Sequence, residues 1–233
     1  MSTGPRVVSL VPSVTETLVA WGRPPVACTR FCEQPDIPHV GGTKRPRLAA
    51  IVELAPDLVV MCDEENRIED HDALVGAGLA VHVASPRTVD DVPGVLAALA
   101  EAVGADPPPS PMPRPAPPPG PPRTAFVPIW ARPWMTLNTD TYGASVLAAA
   151  GWVSAWADDP VRYPEVTVEE VRARAVDAVL APTEPWAFTA DDLPDLEARF
   201  GAPAVLVDGQ DLFWWGVRTD AAVPRLAAAL AQV

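Results

Sequence analysis

Cysteines, aromatic residues, basic residues and long apolar runs are all scarce in this 233-residue chain. Three cysteines (Cys28, Cys32 and Cys62) are too few and odd in number for a disulfide framework, and they favour a reducing compartment. The 17 basic residues are outnumbered by 30 acidic ones, and no basic cluster is present that could bind a phosphate backbone. We therefore expect no nucleic-acid partner.

Apolar runs are also too short for a membrane span. The run from Leu96 to Val103 is interrupted by Glu101 and falls well short of the ~18 residues that a membrane helix needs. Residues 1–6 lead directly into the strand-like segment 7–10, without the apolar stretch of ~7–15 residues that is typical of a signal peptide. The sequence therefore predicts a cytoplasmic protein with no membrane partner.

Proline, by contrast, is abundant and concentrated in one tract. It occupies 11 of the 16 positions from 107 to 122, a composition that favours extended polyproline II over helix or central strand. We interpret residues 106–123 as a linker between an N-terminal α/β lobe (1–105) and a C-terminal α/β lobe (124–233). Recognition of the PxxP spacings by a partner is the alternative role of the tract.

The two segments that flank this tract repeat the same order of predicted strands and helices. The first begins with a strand at 7–11 and a helix at 15–21, and the second with a strand at 125–130 and a helix at 142–150. Positions that match in the two halves lie 129, 120 and 123 residues apart, namely Gly22 with Gly151, Asp57 with Asp177, and Gly78 with Gly201. Near-constant spacing indicates a duplicated β/α unit. Short apolar strands that alternate with amphipathic helices predict an α/β fold with a parallel sheet in each lobe. Ligands of such sheets bind beyond the carboxyl ends of the strands, so we expect the two lobes to face each other across a ligand-binding cleft.

Several local motifs carry a family resemblance. They are residues 6–17 (RVVSLVPSVTET), 40–44 (VGGTK), 51–60 (IVELAPDLVV), 163–171 (YPEVTVEEV) and 177–180 (DAVL). In these segments the chain resembles the class III periplasmic binding proteins, which are receptors for cobalamin, haem and ferric siderophores, and it is most similar to the cobalamin-binding branch. The resemblance implies a substrate-binding-protein fold that traps a small molecule between two lobes.

The chain departs from that family at three points. Family members are exported or lipid-anchored, and their lobes are joined by one long helix, where this chain has its proline tract. The cobalamin branch also presents one surface glutamate per lobe to a membrane permease. Glu169 matches the second of these positions, whereas Ala49 occupies the first. We therefore interpret the chain as a cytoplasmic variant for which permease docking is not expected.

Five tryptophans lie in predicted loops of the C-terminal lobe. Surface loops would expose such rings unless they pack on one another or contact a ligand, so the group predicts an aromatic cage for a flat ligand. Ordinary packing is the alternative for each ring. The predicted cage residues are Trp130, Trp134, Trp186, Trp214 and Trp215.

Three adjacent carboxylates, Asp63, Glu64 and Glu65, follow the predicted strand 58–62 and precede Asn66. Neighbouring carboxylates raise one another's pKa, which would suit Glu64 and Glu65 to general acid–base catalysis. Asn66 is predicted to bind the ligand. The alternative for the acidic group is the start of a helix, where carboxylates complement the N-terminal dipole.

Four further residues are predicted to contact the ligand. Thr43 and Lys44 offer a hydroxyl and a cation within a glycine-containing loop, and Arg132 could bind a carboxylate bidentately. Ser13 and Thr15 open the first helix, where free N–H groups could bind a ligand through the region of Ser13, although capping of the helix is the simpler role of both residues. The spacing of Cys and His predicts neither a metal site nor a resident cofactor.

Two functional hypotheses follow from these residues. In the first, the protein is a cytoplasmic binder of a planar, partly aromatic or corrinoid-like molecule, with cobalamin as the ligand that the resemblance implies. In the second, it is a cofactor-independent enzyme of specialised metabolism. Such an enzyme would condense an aromatic amine with a carbonyl compound in a Pictet-Spengler-type cyclisation, with Glu64 and Glu65 as acid and base.

Overall fold

The computed structural model describes residues 4–106 and 121–231, which form two compact units. The first unit comprises residues 4–86, 90–106 and 215–217, and the second comprises 87–89, 121–214 and 218–231. Most of the predicted linker, 106–123, lies outside the described residues. The predicted lobe boundaries therefore stay predictions.

The elements of the first unit in chain order are β1 (Val7–Ser9), α1 (Pro12–Ala20), β2 (Ala27–Cys28), β3 (Gly41–Gly42), β4 (Arg45–Pro46), α2 (Leu48–Glu53), β5 (Leu58–Met61), α3 (Ile68–Gly76), β6 (Val81–Val83) and α4 (Val92–Val103). Four of the strands form a parallel sheet with the order β2-β1-β5-β6, and β3 and β4 form a separate antiparallel hairpin.

The second unit repeats this architecture. Its elements are β7 (Arg123–Phe126), β8 (Trp130–Ala131), β9 (Trp134–Met135), α5 (Tyr142–Ala149), β10 (Trp152–Ser154), α6 (Val168–Ala173), β11 (Ala178–Pro182), a 3₁₀ turn (Ala190–Asp192), α7 (Leu193–Phe200), β12 (Ala204–Val207), α8 (Gly209–Phe213) and α9 (Thr219–Leu230). The parallel sheet has the strand order β10-β7-β11-β12, and β8 and β9 form the antiparallel hairpin. In both units the second sheet strand in the chain lies at the edge beside the first, so the predicted two-lobed α/β fold is confirmed.

The duplication extends to single hydrogen bonds. In the first unit the Asp57 carboxylate accepts the backbone N–H of Arg6 at 2.7 Å, and in the second the Asp177 carboxylate accepts that of Thr124, also at 2.7 Å. This hydrogen bond lowers the pKa of Asp177. Two residues before each aspartate, Ala55 and Ala175 adopt left-handed backbone with φ of 42° and 46°. The same turn therefore connects a helix to the third sheet strand in both units.

The strands of each sheet are apolar on both faces, so apolar side chains of the neighbouring helices pack against them. In the first unit Val8, Val59 and Met61 pack with Ile51 of α2 and Leu74 of α3. The core of the second unit contains aromatic rings, and one cluster of its buried members consists of Phe126, Trp156, Val166, Val171, Val176, Val179, Ala181, Phe188, Leu196, Phe200 and Ala202.

Two predicted boundaries are corrected. The strand predicted for residues 125–130 ends at Phe126, and Trp130 instead pairs with Met135 in the β8–β9 hairpin. Pro128, which has no backbone N–H, follows that strand end and cannot donate to a continuing ladder. The first helix begins at Pro12 rather than Thr15, because proline has a backbone φ that suits the first turn of a helix.

The longest helices of the described ranges, α4 and α9, contain 12 residues each. Within residues 4–106 and 121–231, no helix has both the length and the apolar character needed to cross a bilayer.

Candidate functional site

In the first unit, the buried side chain of Asn66 connects three loops at the carboxyl edge of the sheet. Its amide nitrogen donates to the carbonyl of Leu10 at 3.1 Å and to that of Thr43 at 3.0 Å. Its oxygen accepts the backbone N–H of Cys62 at 2.8 Å. Leu10 follows β1, Cys62 follows β5, and Thr43 lies in the β3–β4 hairpin. The structure thus brings together Asn66 and Thr43, two of the residues predicted to bind a ligand.

Lys44 joins the same loops through a second contact, because its Nζ donates to the backbone carbonyl of Glu64 at 2.7 Å. Glu64 and Glu65 are half-buried in the loop after β5. The acids in the first turn of the following helix are Glu69 and Asp70, so Glu64 and Glu65 do not start that helix. Their catalytic role stays a prediction.

Ser13 lies in the first turn of α1 and is buried, with 1% of its surface exposed. Its hydroxyl has no hydrogen-bond partner among the residues that the structure describes. Capping by Ser13 or Thr15 is not found, because the cap position is Val11 and no side chain caps the helix. The Thr15 hydroxyl instead lies 2.8 Å from Ser9 Oγ, at the end of β1.

In the second unit, four aromatic side chains lie together and are called here the aromatic surface: Trp130, Trp134, Trp186 and Phe188. The rings of Trp130 and Trp186 meet edge to face, with centroids 5.0 Å apart and an interplanar angle of 81°. Trp134 stacks on Phe188 with centroids 6.4 Å apart and an angle of 4°. Both geometries are favourable arrangements of the ring quadrupoles.

The aromatic surface lies at the carboxyl edge of the second sheet. The β8–β9 hairpin, which carries Trp130 and Trp134, follows β7, and the loop with Trp186 and Phe188 follows β11. Because β7 and β11 are adjacent parallel strands, their carboxyl ends are neighbours. This is the edge at which ligands of parallel sheets bind.

The aromatic surface has a buried base and an exposed top. Trp134 contacts Phe126 and Phe200 of the core, and Phe188 is itself buried. Trp130, by contrast, keeps 42% of its surface exposed. Packing against the core fixes the base, so an indole is held at the surface in a defined orientation.

Phe188 was missed in the sequence analysis, although its position two residues after Trp186, beyond a buried strand, was a usable signal. Arg132, predicted to bind the ligand, is exposed in the turn of the β8–β9 hairpin. Its backbone carbonyl accepts the indole N–H of Trp130 at 3.1 Å, which satisfies the polar atom of that ring.

Trp214 and Trp215 do not have the exposure that the sequence predicted. They follow α8 and are 8% and 3% exposed. The Arg218 guanidinium lies 5.1 Å from the ring centroid of Trp214. Trp214 belongs to the second unit and Trp215 to the first. Neither ring belongs to the aromatic surface, so the predicted cage of five tryptophans is reduced to three, with Phe188 added.

Among residues 4–106 and 121–231, no group of three or more His, Cys, Asp and Glu side chains could hold a metal ion.

The polar loops of the first unit and the aromatic surface of the second are the two candidate ligand-contacting regions. The first offers the Thr43 hydroxyl and the Lys44 ammonium group, held by an Asn66 amide that is itself bonded to three backbone groups, and the second offers a flat apolar surface.

The fold is that of the class III periplasmic binding proteins, so the resemblance stated from the sequence is confirmed. The periplasmic vitamin B12 binding protein BtuF of Vibrio cholerae superposes with a TM-score of 0.79 at 19% identity, over 98% of this chain and 97% of that protein. The periplasmic heme-binding protein RhuT of Roseiflexus sp. RS-1 superposes with a TM-score of 0.76, also at 19% identity, over 97% of this chain and 98% of that protein.

Similarity in sequence is low but extended. The vitamin B12-binding protein of Yersinia pestis (strain Pestoides F) is 24% identical over 188 residues, which cover 72% of this chain and 66% of that protein. No protein-family model matches the chain.

Proposed function

We propose that the protein binds a planar tetrapyrrole macrocycle, either a corrinoid or a heme-like porphyrin, against the aromatic surface of its second unit. The observation that carries the proposal is Trp130, an indole that is 42% exposed and held edge to face on Trp186 at the carboxyl edge of a parallel sheet. Trp130 is continuous with the half-buried rings of Trp134 and Trp186, and a contiguous apolar patch of this kind is typical of a ligand-binding surface.

The chemistry of the aromatic surface favours a flat and partly apolar ligand. Burying an aromatic ring against a planar macrocycle removes apolar area from water at about 25 cal/mol per Å², and a favourable ring contact adds about 0.5–1.5 kcal/mol. Arg132, exposed in the same hairpin, offers a cation for a carboxylate or phosphate substituent.

The relatives support the ligand class. Proteins with this fold include ones named for binding vitamin B12 and heme, and both of these ligands are tetrapyrrole macrocycles. The predicted trapping of the ligand between two lobes is kept as part of the proposal. Titrations of Lys44→Ala and Thr43→Ala variants test it, and unchanged affinity in both would contradict a role for these first-unit loops.

Calorimetric titration with cyanocobalamin and, separately, with hemin tests the proposal. We expect saturable one-to-one binding of at least one macrocycle, with a Kd of about 1 µM or tighter, corresponding to about −8 kcal/mol. The two titrations distinguish a corrinoid from a porphyrin ligand. Absence of saturable binding of both macrocycles would remove the proposed function.

The condensing-enzyme hypothesis is the weaker one. The relatives reported above are named as binding proteins, and their names lend no support to a Pictet-Spengler-type activity of Glu64 and Glu65. Turnover of an aromatic amine with an aldehyde that is lost in Glu64→Gln or Glu65→Gln would revive this hypothesis, and absence of turnover in the unmodified protein removes it.

We also propose a cytoplasmic location, without nucleic-acid or membrane partners. All three cysteines are free thiols, which supports a reducing compartment, and the acidic charge balance opposes binding to nucleic acid. Cell fractionation tests the location, and recovery of the native protein in an exported fraction would contradict it.

A further inference from the structure

Two of the free thiols lie close together beside the carboxyl edge of the first sheet. Cys28 is the last residue of β2 and is paired in register with Ser9 of β1. Cys32 lies in the turn that follows, where its backbone N–H donates to the carbonyl of Thr29 at 3.2 Å. Both cysteines are buried, with 0% and 1% of their surfaces exposed.

The sulfur of Cys32 is surrounded by hydrogen-bonding groups. Two threonine hydroxyls lie within hydrogen-bonding distance of it, Thr15 Oγ1 at 3.3 Å and Thr29 Oγ1 at 3.1 Å. Hydroxyl donors stabilise a thiolate, which is the reactive form of cysteine. A buried thiol in an apolar core would not have this pair of donors.

Cys28, at the other end of the short turn that the Cys32 N–H closes on Thr29, makes the two cysteines unequal. The influence of its thiol, with those of the Thr15 and Thr29 hydroxyls, outweighs the effect of burial and lowers the pKa of Cys32 to about 6. The influence of Cys32, together with burial, raises the pKa of Cys28. A dithiol with one thiolate and one protonated partner has an attacking sulfur and a resolving sulfur.

Cys62 provides an internal comparison within the same unit. Its sulfur accepts a hydrogen bond from the Ser85 hydroxyl at 3.6 Å, which is longer than the two threonine contacts of Cys32. Burial, with a smaller contribution from the charge of Glu65, raises the pKa of the Cys62 thiol to about 12. Cys62 is therefore a buried neutral thiol.

The turn that carries Cys32 lies at the surface, so a small oxidant needs only a local opening of this turn to reach the buried sulfur. Its neighbours Arg30, Phe31 and Glu33 are exposed, and Glu33 adopts a left-handed backbone with φ of 49°. A non-glycine residue in that region is strained, and surface turns open locally at low free-energy cost.

We propose that Cys28 and Cys32 are an oxidation site at which peroxide produces an intramolecular disulfide. The Cys32 thiolate attacks one oxygen of hydrogen peroxide, the O–O bond breaks, and hydroxide leaves, so that Cys32 becomes a sulfenic acid. The Cys28 sulfur then attacks the Cys32 sulfur, the S–O bond breaks, and water leaves with the proton of Cys28. The two thiols together lose two electrons to one peroxide. This proposal does not depend on the identity of the ligand.

Peptide mapping of the full chain tests the proposal directly. Trypsin cleaves after Arg30 and therefore separates the two cysteines into peptides 7–30 and 31–44. After treatment with about one equivalent of hydrogen peroxide and alkylation in denaturant, we expect these peptides to be cross-linked, with a loss of about 2 Da that dithiothreitol reverses. Cys62 should be recovered alkylated. Oxidation of Cys62 at the same rate as Cys32, or absence of the cross-link, would overturn the proposal.

Variants test the order of the two steps. In Cys28→Ser we expect a dimedone-reactive sulfenic acid to accumulate at Cys32, whereas Cys32→Ser should give no dimedone adduct at Cys28. Cys62→Ser is the matched control and should oxidise like the unmodified protein. A dimedone adduct at Cys28 in the Cys32→Ser variant would overturn the assignment of Cys32 as the attacking thiol. The unmodified protein, with Cys62 as its internal control, gives the test even where a variant fails to fold.

Discussion

Replacement of Trp130 or Trp186 by alanine weakens macrocycle binding by about tenfold or more, which corresponds to at least about 1.4 kcal/mol. Trp130 supplies the exposed ring, and Trp186 holds that ring by its edge-to-face contact at 5.0 Å. Loss of either indole removes apolar contact area, and loss of Trp186 also frees the orientation of Trp130. Calorimetry with the macrocycle that binds the unmodified protein measures the effect without relying on tryptophan emission.

Two variants control this experiment. Trp130→Phe keeps a ring at the exposed position and should lose less affinity than Trp130→Ala. Trp21→Ala removes a half-buried tryptophan at the C-terminal end of α1, in the other unit, and should leave the affinity unchanged. Equal affinity in Trp130→Ala and the unmodified protein would show that the aromatic surface does not bind the ligand.

Replacement of Asn66 by alanine destabilises the first unit by about 3 kcal/mol, because three backbone groups lose a buried partner at about 1 kcal/mol each. These groups are the carbonyls of Leu10 and Thr43 and the N–H of Cys62. Urea unfolding of the purified variant measures the loss. Without these three hydrogen bonds the loops are no longer connected to one another, so any ligand contacts of the β3–β4 hairpin should weaken as well.

Asn138 offers a matched control in the second unit. Like Asn66, it is 6% exposed, but its side chain makes two hydrogen bonds. Its amide nitrogen donates to the carbonyl of Asp159, and its oxygen accepts the N–H of Asp140, each at 2.8 Å. Asn138→Ala should therefore cost about 2 kcal/mol. A smaller loss in Asn66→Ala than in Asn138→Ala would contradict the role assigned to Asn66.

The fold could be predicted from the sequence because its signals are local and occur twice. Gly22 and Gly151 end equivalent helices with φ of 68° and 86°, and Asp57 and Asp177 make the same contact in the two units. Each of these features needs only a few neighbouring residues. Because these features recur at similar spacing, the duplicated unit is predictable from the sequence.

The candidate site was less predictable, because burial depends on contacts that are distant in the sequence. Trp214 and Trp215 have a loop-like sequence, yet both rings are buried. The hydrogen bonds of Asn66 reach across 56 residues to Leu10 and 23 residues to Thr43, and no local pattern indicates such partners. The group of Trp130, Trp134 and Trp186 was predictable because these tryptophans lie in predicted loops, where a large ring is exposed unless it packs on another ring or contacts a ligand.

Fluorine NMR of protein labelled with 5-fluorotryptophan tests the central claim most directly, since the eight tryptophans then report separately. The ligand is cyanocobalamin or, as the diamagnetic counterpart of hemin, zinc protoporphyrin IX, and single Trp→Phe variants assign the resonances. We predict that the signals of Trp130 and Trp186 shift in proportion to the bound fraction, while the signals of the buried Trp152 and Trp156 stay in place. Saturable binding that leaves the Trp130 and Trp186 resonances unmoved would contradict the account.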